Sequence, residues 1–302
     1  MKVGVVLPIG DTEGPDGVPS FADIVAVARA TEDAGLDSAW VADHFIHRAK
    51  DGTESGLHEA WTILSGVAAV TSRISVGTIV ACTSFRNAVL TAKMAAALDV
   101  VSNGRLILGL GCGWHEPEYE AMGLPFADRV SRFAESLEVI RRLLDGERVT
   151  MTGPYTTIRD AILLPSPARR IPILVAAEKP RMLALTAAWA DAWNTAWYGA
   201  PDDRSRERFD RLDAALAAAG RPADAIERTV GITVRDPDQP PVPEPDPRAF
   251  AGSVSELTDV LRAWERTGAG HLIVGLEPIS VRSVERLGEA VAAAATRSRV
   301  LR

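Results

Sequence analysis

The stretch that decides the fold is residues 74–110, ISVGTIVACTSFRNAVLTAKMAAALDVVSNGRLILGL. It begins with an apolar run rich in β-branched residues, Ile74–Ala81, which predicts a strand. The segment Asn87–Ser102 then predicts a helix that ends near Gly104, and Leu106–Leu110 predicts a second buried strand. Two apolar strands joined through a helix indicate a parallel pair in a sheet that helices cover.

The same succession of strand, turn and helix recurs along the chain. The predicted strands are Val3–Leu7, Ser38–Ala42, Ile74–Ala81, Leu106–Leu110, Ile173–Ala176, Ala192–Thr195, Val230–Val234 and His271–Val274. The predicted helices are Phe21–Ala34, Glu59–Thr71, Asn87–Ser102, Val130–Leu144, Pro180–Ala190, Asp203–Ala219, Ser253–Thr267 and Val281–Thr296. Eight such units favour a closed α/β (β/α)8 TIM barrel, a single domain over residues 1–302; an open doubly wound sheet is the alternative.

Two segments interrupt this regularity, and two helix starts carry a clear signal. Glu147–Pro165 is rich in β-branched residues around a Gly-Pro turn, which predicts an inserted hairpin. Asp236–Pro247 is a proline-rich connector. Ser20 and Ser253 each stand three residues before an acidic residue, the spacing of a capping box.

Composition excludes several classes of protein. The formal net charge of −7 disfavours nucleic-acid binding, which needs a basic surface for phosphate contacts. No apolar run approaches the ~20 residues of a membrane span, and the N-terminal sequence lacks the pattern of a signal peptide. Because Cys82 and Cys112 are the only cysteines, no disulfide framework is implied, and we expect a cytoplasmic protein.

Chemistry in such barrels lies on the loops that follow the strands. Asp43 and His44 directly follow the second strand, where a carboxylate and an imidazole can hydrogen-bond or protonate a ligand. A capping Asp beside a surface His is the plainer interpretation of the pair. A metal site with His47 is disfavoured because no second ligand cluster appears later in the chain, and no metal is expected.

Two further strand ends carry candidate residues. After the fourth strand, Gly109, Gly111 and Gly113 alternate up to Trp114, so that the backbone could approach a ligand closely; a tight turn with a core tryptophan is the alternative. After the fifth strand, Ala176–Arg181 leads into a helix whose Pro180 suits the first helical position, and whose free N–H groups would attract an anion. A solvated basic first turn is the alternative there.

Six stretches taken together resemble the bacterial luciferase-like (LLM class) oxidoreductases, which include flavin-dependent monooxygenases and enzymes dependent on the deazaflavin coenzyme F420. The stretches are Ser38–Phe45, Ile74–Asn87, Ser102–Gly123, Asp128–Leu144, Ala190–Asn194 and Phe250–Leu257. The resemblance spans nearly the whole chain. It implies a cofactor ring in the barrel mouth, with a small substrate on its exposed face.

The resemblance also assigns roles to residues. His44 would stand beside the reacting substrate, with Asp43 as a partner of the cofactor ring. Ile79 and Val80 match a strand-three bulge in which relatives carry a non-prolyl cis peptide behind the ring. The other cofactor contacts implied are Cys112, Gly113, Trp114, Ala176, Ala177, Glu178, Lys179 and Pro180, the last five forming a phosphate-binding turn. Many relatives have glycines where this chain has Ala177 and Glu178.

The sequence-based hypothesis is therefore a hydride-transferring oxidoreductase that uses coenzyme F420, with FMN as the alternative cofactor. An FMN-dependent monooxygenase of the luciferase type and a non-catalytic flavin-binding barrel are the alternative functions. A Schiff-base aldolase is a remote alternative, with Lys179 as its lysine. The expected partners are a small-molecule substrate and a second copy of the chain in a homodimer, and neither nucleic acid nor a membrane.

Overall fold

Eight parallel strands close into a barrel in the computed structural model, which describes residues 1–14, 16–49 and 51–300. In chain order they are β1 Lys2–Val6, β2 Ser38–Val41, β3 Ser75–Thr78, β4 Leu106–Gly111, β5 Ile173–Ala176, β6 Ala192–Tyr198, β7 Glu227–Arg235 and β8 His271–Glu277. Each strand pairs in parallel with its neighbours in sequence, and β1 also pairs with β8. The predicted barrel is thus confirmed, and the open sheet is excluded.

Helices between the strands cover the outside of the barrel. Those of the described residues are α1 Phe21–Asp33, α2 Ala60–Val70, α3 Ala88–Val101, α4 Glu116–Ala121, α5 Arg129–Leu144, α6 Pro180–Trp189, α7 Asp203–Ala218, α8 Val254–Arg266 and α9 Val281–Val300. The capping boxes predicted at Ser20 and Ser253 are both present, and they fix where α1 and α8 begin. Within the described ranges, no helix is long and apolar enough to cross a membrane.

Side chains alternate along each strand between the outside and the inside of the barrel, and they form two separate hydrophobic clusters. Outward side chains such as Val5 and Leu108 pack beneath the helices in the main hydrophobic cluster. Inward side chains form a second cluster around Trp40, Leu174 and Ile273, all fully buried. The barrel therefore has a packed interior rather than a pore.

A hydrogen-bonded chain fills the interior where the strands begin. Trp40 Nε1 donates to Ser38 Oγ at 2.7 Å, and Ser38 Oγ lies 2.8 Å from Nε2 of His271. Burial lowers the pKa of His271 to about 4, so its ring is neutral, and Ser38 Oγ and His271 Nε2 share one hydrogen bond. His271 Nδ1 is buried and has no hydrogen-bond partner among the described residues.

The segments inserted between the barrel elements lie mostly where the sequence predicted them. The hairpin Val149–Thr152/Thr157–Ala161 confirms the insertion predicted near 147–165. A second hairpin, Ile46–Arg48/Glu54–Gly56, and the short α4 were not predicted. The two-residue strands Ala81–Cys82 and Phe250–Ala251 pair with β4 and β7. The continuous strand predicted over Ile74–Ala81 is wrong, because the backbone breaks at residues 79–80.

Candidate functional site

The four predicted segments meet at one end of the barrel. Asp43-His44, Ile79-Val80, Cys112–Trp114 and Ala176–Pro180 follow β2, β3, β4 and β5. These four strands are consecutive neighbours and run parallel, so their carboxyl ends share one rim. This rim is called the mouth below. The convergence that the site hypothesis requires is present.

His44 is held at the mouth by a carboxylate that the sequence did not single out. Glu118, on α4, is almost fully buried, and its Oε2 lies 3.0 Å from His44 Nδ1. Its Oε1 accepts the backbone amides of Phe45 and Ile46. Burial would raise the pKa of Glu118, but the hydrogen bonds from His44 and the Phe45 amide outweigh it and lower the pKa.

An ionised Glu118 fixes the tautomer of His44. A carboxylate only accepts, so the proton of the neutral ring stands on Nδ1, and Nε2 carries the lone pair. The His44 side chain is 25% exposed, and no hydrogen bond of the described residues engages Nε2. His44 can therefore accept or return a proton at Nε2, a pattern shared with histidines that act as general bases.

Asp43 lies behind His44 and is only 2% exposed. Its Oδ2 accepts the Cys82 amide at 3.0 Å and Arg86 Nη1 at 2.7 Å, while Oδ1 accepts Arg86 Nη2 at 3.0 Å. Burial raises the pKa of Asp43 and outweighs the opposing effect of Arg86. Arg86 also binds Glu59 Oε1 at 2.6 Å. Both Asp43 oxygens are thus engaged by the protein, and its predicted contact with a cofactor ring stays a prediction.

The peptide bond between Ile79 and Val80 is cis, as the resemblance implied. Glycines of β4 make room for this bulge. A Cβ at Gly109 would lie 1.9 Å from the Thr78 carbonyl oxygen, and one at Gly111 would lie 2.6 Å from Val80 Cγ2. These glycines therefore permit close packing between β3 and β4, and the approach of a ligand that the sequence suggested stays a prediction.

The loop after β4 packs on Tyr119 and presents Trp114. Tyr119 donates to the Cys112 carbonyl at 2.7 Å, and a Cβ at Gly113 would lie 2.2 Å from the Tyr119 hydroxyl oxygen. Trp114 is 62% exposed, and its ring centroid is 5.6 Å from that of His44. The alternative of a core tryptophan is excluded. Trp114 borders the space in front of His44.

The turn after β5 has the features of an anion site. Lys179 and Pro180 begin α6 without a side-chain cap, whereas side chains cap α1, α2, α3, α7 and α8. α5 also begins without a side-chain cap, and Arg181 donates to Ser131 Oγ at 2.8 Å, which joins the two helix starts. Glu178 is paired with Arg208 at 2.6 Å, so its charge is offset.

A second tryptophan, missed in the sequence, projects into the barrel from β6. A Cβ at Gly231 would lie 2.8 Å from Trp197 Cε3, and one at Gly275 would lie 3.8 Å from Trp197 Cζ3. Arg204 donates to the Trp197 carbonyl. The indole therefore covers the glycine positions of β7 and β8. Gly231 and Gly275, which lie two residues apart in the register of β7 and β8, were the available signal.

Comparison with known proteins identifies the family of the chain. The model of the luciferase-like monooxygenase family matches residues 1–239. The chain is 35% identical over 162 residues to an F420-dependent glucose-6-phosphate dehydrogenase of Amycolatopsis mediterranei, covering 52% of this chain and 48% of that protein. It is 35% identical over 204 residues to the pyrimidine monooxygenase RutA of Methylobacterium radiotolerans, covering 63% of this chain and 53% of that protein. The chain thus spans about half the length of these curated relatives.

The barrel itself is shared with solved structures. An F420-dependent secondary alcohol dehydrogenase in complex with an F420-acetone adduct superposes with a TM-score of 0.80 at 20% identity, covering 97% of this chain and 98% of that one. At that identity the likeness shows the fold alone. The predicted resemblance is confirmed, and with it the expectation of a luciferase-like enzyme at the level of the family.

Proposed function

We propose that this chain, which belongs to the luciferase-like monooxygenase family, transfers a hydride between the deazaflavin coenzyme F420 and a small organic substrate. The observation that carries the proposal is the His44–Glu118 pair, which leaves one basic ring nitrogen at the mouth of the barrel. A histidine held in this way suits proton transfer to or from a substrate oxygen.

The residues at the mouth fit a flat ring with an anionic tail. Val6, Ile79 and Val80 are inner-face residues that pack on the buried inner cluster and yet are half-buried, so they offer an apolar floor at the open end. The uncapped starts of α5 and α6 would hold the tail, because free N–H groups attract negative charge. Four cationic side chains at these two helix starts have no carboxylate partner among the described residues. They are Arg129, Arg132, Lys179 and Arg181.

Bound there, the cofactor supplies the acceptor or donor of the hydride. The chain positions the substrate and handles the proton. In the oxidative direction the carbinol C–H bond breaks, its hydride leaves with two electrons, and the hydroxyl proton passes to His44 Nε2 as the C=O bond forms. Glu118 offsets the positive charge that His44 then carries.

The remaining predicted site residues keep their proposed roles. Asp43 remains a proposed partner of the cofactor ring, and it also binds Arg86 and the Cys82 amide, which positions the loop that carries the bulge. The proposed cofactor contacts are Ile79, Val80, Cys112, Gly113, Trp114, Ala176, Ala177, Glu178, Lys179 and Pro180. A homodimer is part of the same proposal, and sedimentation equilibrium tests it.

An FMN-dependent monooxygenase is the second candidate. The 35% identity to a pyrimidine monooxygenase supports it, as the 35% identity to an F420-dependent dehydrogenase supports the first. Titrating the cofactor-free protein with F420 and with FMN, while following ring absorbance, separates the two. Tighter binding of FMN would reject the deazaflavin assignment. A non-catalytic barrel would bind a cofactor and show no turnover.

The decisive variant is His44→Ala. We expect turnover to fall ~10²–10⁴-fold while the Kd for the cofactor stays within about twofold. His58→Ala is the matched control, because among the described residues the one hydrogen bond of the His58 ring goes to the Pro19 carbonyl. Unchanged turnover in His44→Ala would remove His44 from the mechanism, and an equal loss in His58→Ala would indicate a folding defect.

A further inference from the structure

The short helix α4 carries two buried side chains next to each other, and the proton transfer described above uses one of them. Glu118 contacts His44, whereas Tyr119 contacts the loops that follow β3 and β4. Tyr119 is fully buried, although α4 has six residues. Burial of a phenol hydroxyl is unfavourable unless the hydroxyl is hydrogen-bonded, so the partners of Tyr119 indicate its role.

The Tyr119 hydroxyl joins two strand ends through hydrogen bonds of defined direction. It donates its proton to the Cys112 carbonyl oxygen at 2.7 Å, because a carbonyl only accepts. Cys82 Sγ lies 3.2 Å from the same hydroxyl oxygen, so the thiol is the donor in that contact. Burial raises the pKa of the Cys82 thiol to about 11, and the thiol therefore keeps its proton at neutral pH.

Gly113 packs against this hydroxyl and leads the chain to Trp114. A Cβ at Gly113 would lie 2.2 Å from the Tyr119 hydroxyl oxygen and 2.9 Å from Cys82 Sγ. Gly113 also has a φ of +72°, in the left-handed region that favours glycine. A single residue, confined by the phenol, thus separates the carbonyl that Tyr119 binds from the residue that carries the indole.

The indole of Trp114 lies beside the proposed proton acceptor and is open to solvent. Trp114 is 62% exposed. Its ring centroid lies 5.6, 5.9 and 5.2 Å from those of three imidazole rings, which belong to His44, His47 and His115. The Gly113 carbonyl accepts Arg129 Nε at 3.2 Å, which gives the loop a second and longer hydrogen bond. The position of the indole therefore depends on a loop with few anchors, of which the Tyr119 hydroxyl makes the shorter hydrogen bond.

We propose that Tyr119 is a positioning residue, whose hydroxyl sets the place of Trp114 beside His44 through the Cys112 carbonyl and Gly113. α4 then serves the mouth twice, because Glu118 fixes the proton of His44 while Tyr119 fixes the aromatic surface next to it. This placement belongs to the cofactor-free chain. Its use in binding a cofactor ring rests on the proposed function.

The first test measures the indole without any cofactor. Tyr119→Phe removes the hydroxyl and keeps the ring that packs against Phe85 and Phe126. The protein is labelled with 5-fluorotryptophan, and Trp114→Phe identifies the Trp114 signal in the fluorine NMR spectrum. Tyr119→Phe should shift or broaden that signal, whereas Tyr155→Phe, the same change on the inserted hairpin, should leave it in place. An unchanged signal in a folded Tyr119→Phe protein, or an equal change in Tyr155→Phe, would overturn the proposal.

The second test measures cofactor affinity, with F420 and FMN titrated separately and ring absorbance as the readout. Tyr119→Phe should raise the Kd of the cofactor that binds about threefold to tenfold, the range expected for one lost hydrogen bond. Combined with Trp114→Ala, it should add no further loss, because one residue acts through the other. Additive losses would overturn the proposal. Failure of the wild-type chain to bind either cofactor would reject the proposed function, while the fluorine signals would still decide the role of Tyr119.

Discussion

Replacing Glu118 by Gln tests whether the buried carboxylate orients His44 and stabilises its protonated form. Gln keeps the shape of Glu and one oxygen for the Phe45 and Ile46 amides, but it removes the negative charge and turns an NH2 donor toward His44 Nδ1, so that the neutral ring carries its proton on Nε2. A hydrogen bond to a charged group contributes about 1.5–3 kcal/mol, against about 0.5–1.5 kcal/mol for a neutral one. The midpoints of these ranges differ by about 1.25 kcal/mol, so loss of the charge alone corresponds to a loss of kcat of about eightfold to tenfold.

The assay is steady-state turnover followed by cofactor absorbance, with thermal unfolding measured in parallel. Glu118→Gln should lower kcat about tenfold with little change in Tm, whereas Glu118→Ala should lower both, since it leaves three donors without their acceptor. Glu120→Gln, exposed on the same helix, is the control. Wild-type turnover in a folded Glu118→Gln protein would show that His44 acts without this partner.

Two further predictions concern stability. Arg86→Met leaves the buried Asp43 without its cation and should lower the free energy of unfolding, measured by urea denaturation, by about 3 kcal/mol. Adding Asp43→Asn should restore part of that loss. A loss below about 1 kcal/mol in Arg86→Met would contradict the buried ion pair. Because burial lowers the pKa of His271 to about 4 from 6.5, the unfolded chain binds more protons between these values. Stability should therefore be full above pH 6.5 and decline by about 3 kcal/mol toward pH 4. His271→Gln should flatten that decline, and an identical pH profile in the variant would exclude His271 as its source.

The sequence predicts the barrel well because its signals are local. Capping spacings at Ser20 and Ser253 mark helix starts, and each apolar run marks a strand within a few residues. The break in the third strand was hidden in the run Ile74–Ala81, because Ile79 and Val80 have the composition of a strand. Only the resemblance to the luciferase-like family indicated it.

The site was predictable only in part, because its pairs are distant in sequence. Glu118 reaches His44 across 74 residues, and Arg86 reaches Asp43 across 43. In the sequence Glu118 stands among other acidic residues of a short segment, a pattern typical of a solvated helix. The glycines of β4 were assigned to a ligand, although a neighbouring strand needs the space. Such pairings depend on the closed ring of strands and leave no local signal.

The hydrogen-bonded chain of Trp40, Ser38 and His271 has a kinetic consequence. Among the described residues it fills the barrel where the strands begin, so that ligands enter and leave through the mouth. The molecule that binds deepest in the barrel must bind first and dissociate last, because the molecule that binds second covers it. Under the proposed function, binding and release are therefore ordered. The coenzyme binds before the substrate, and the product dissociates before the used coenzyme is exchanged.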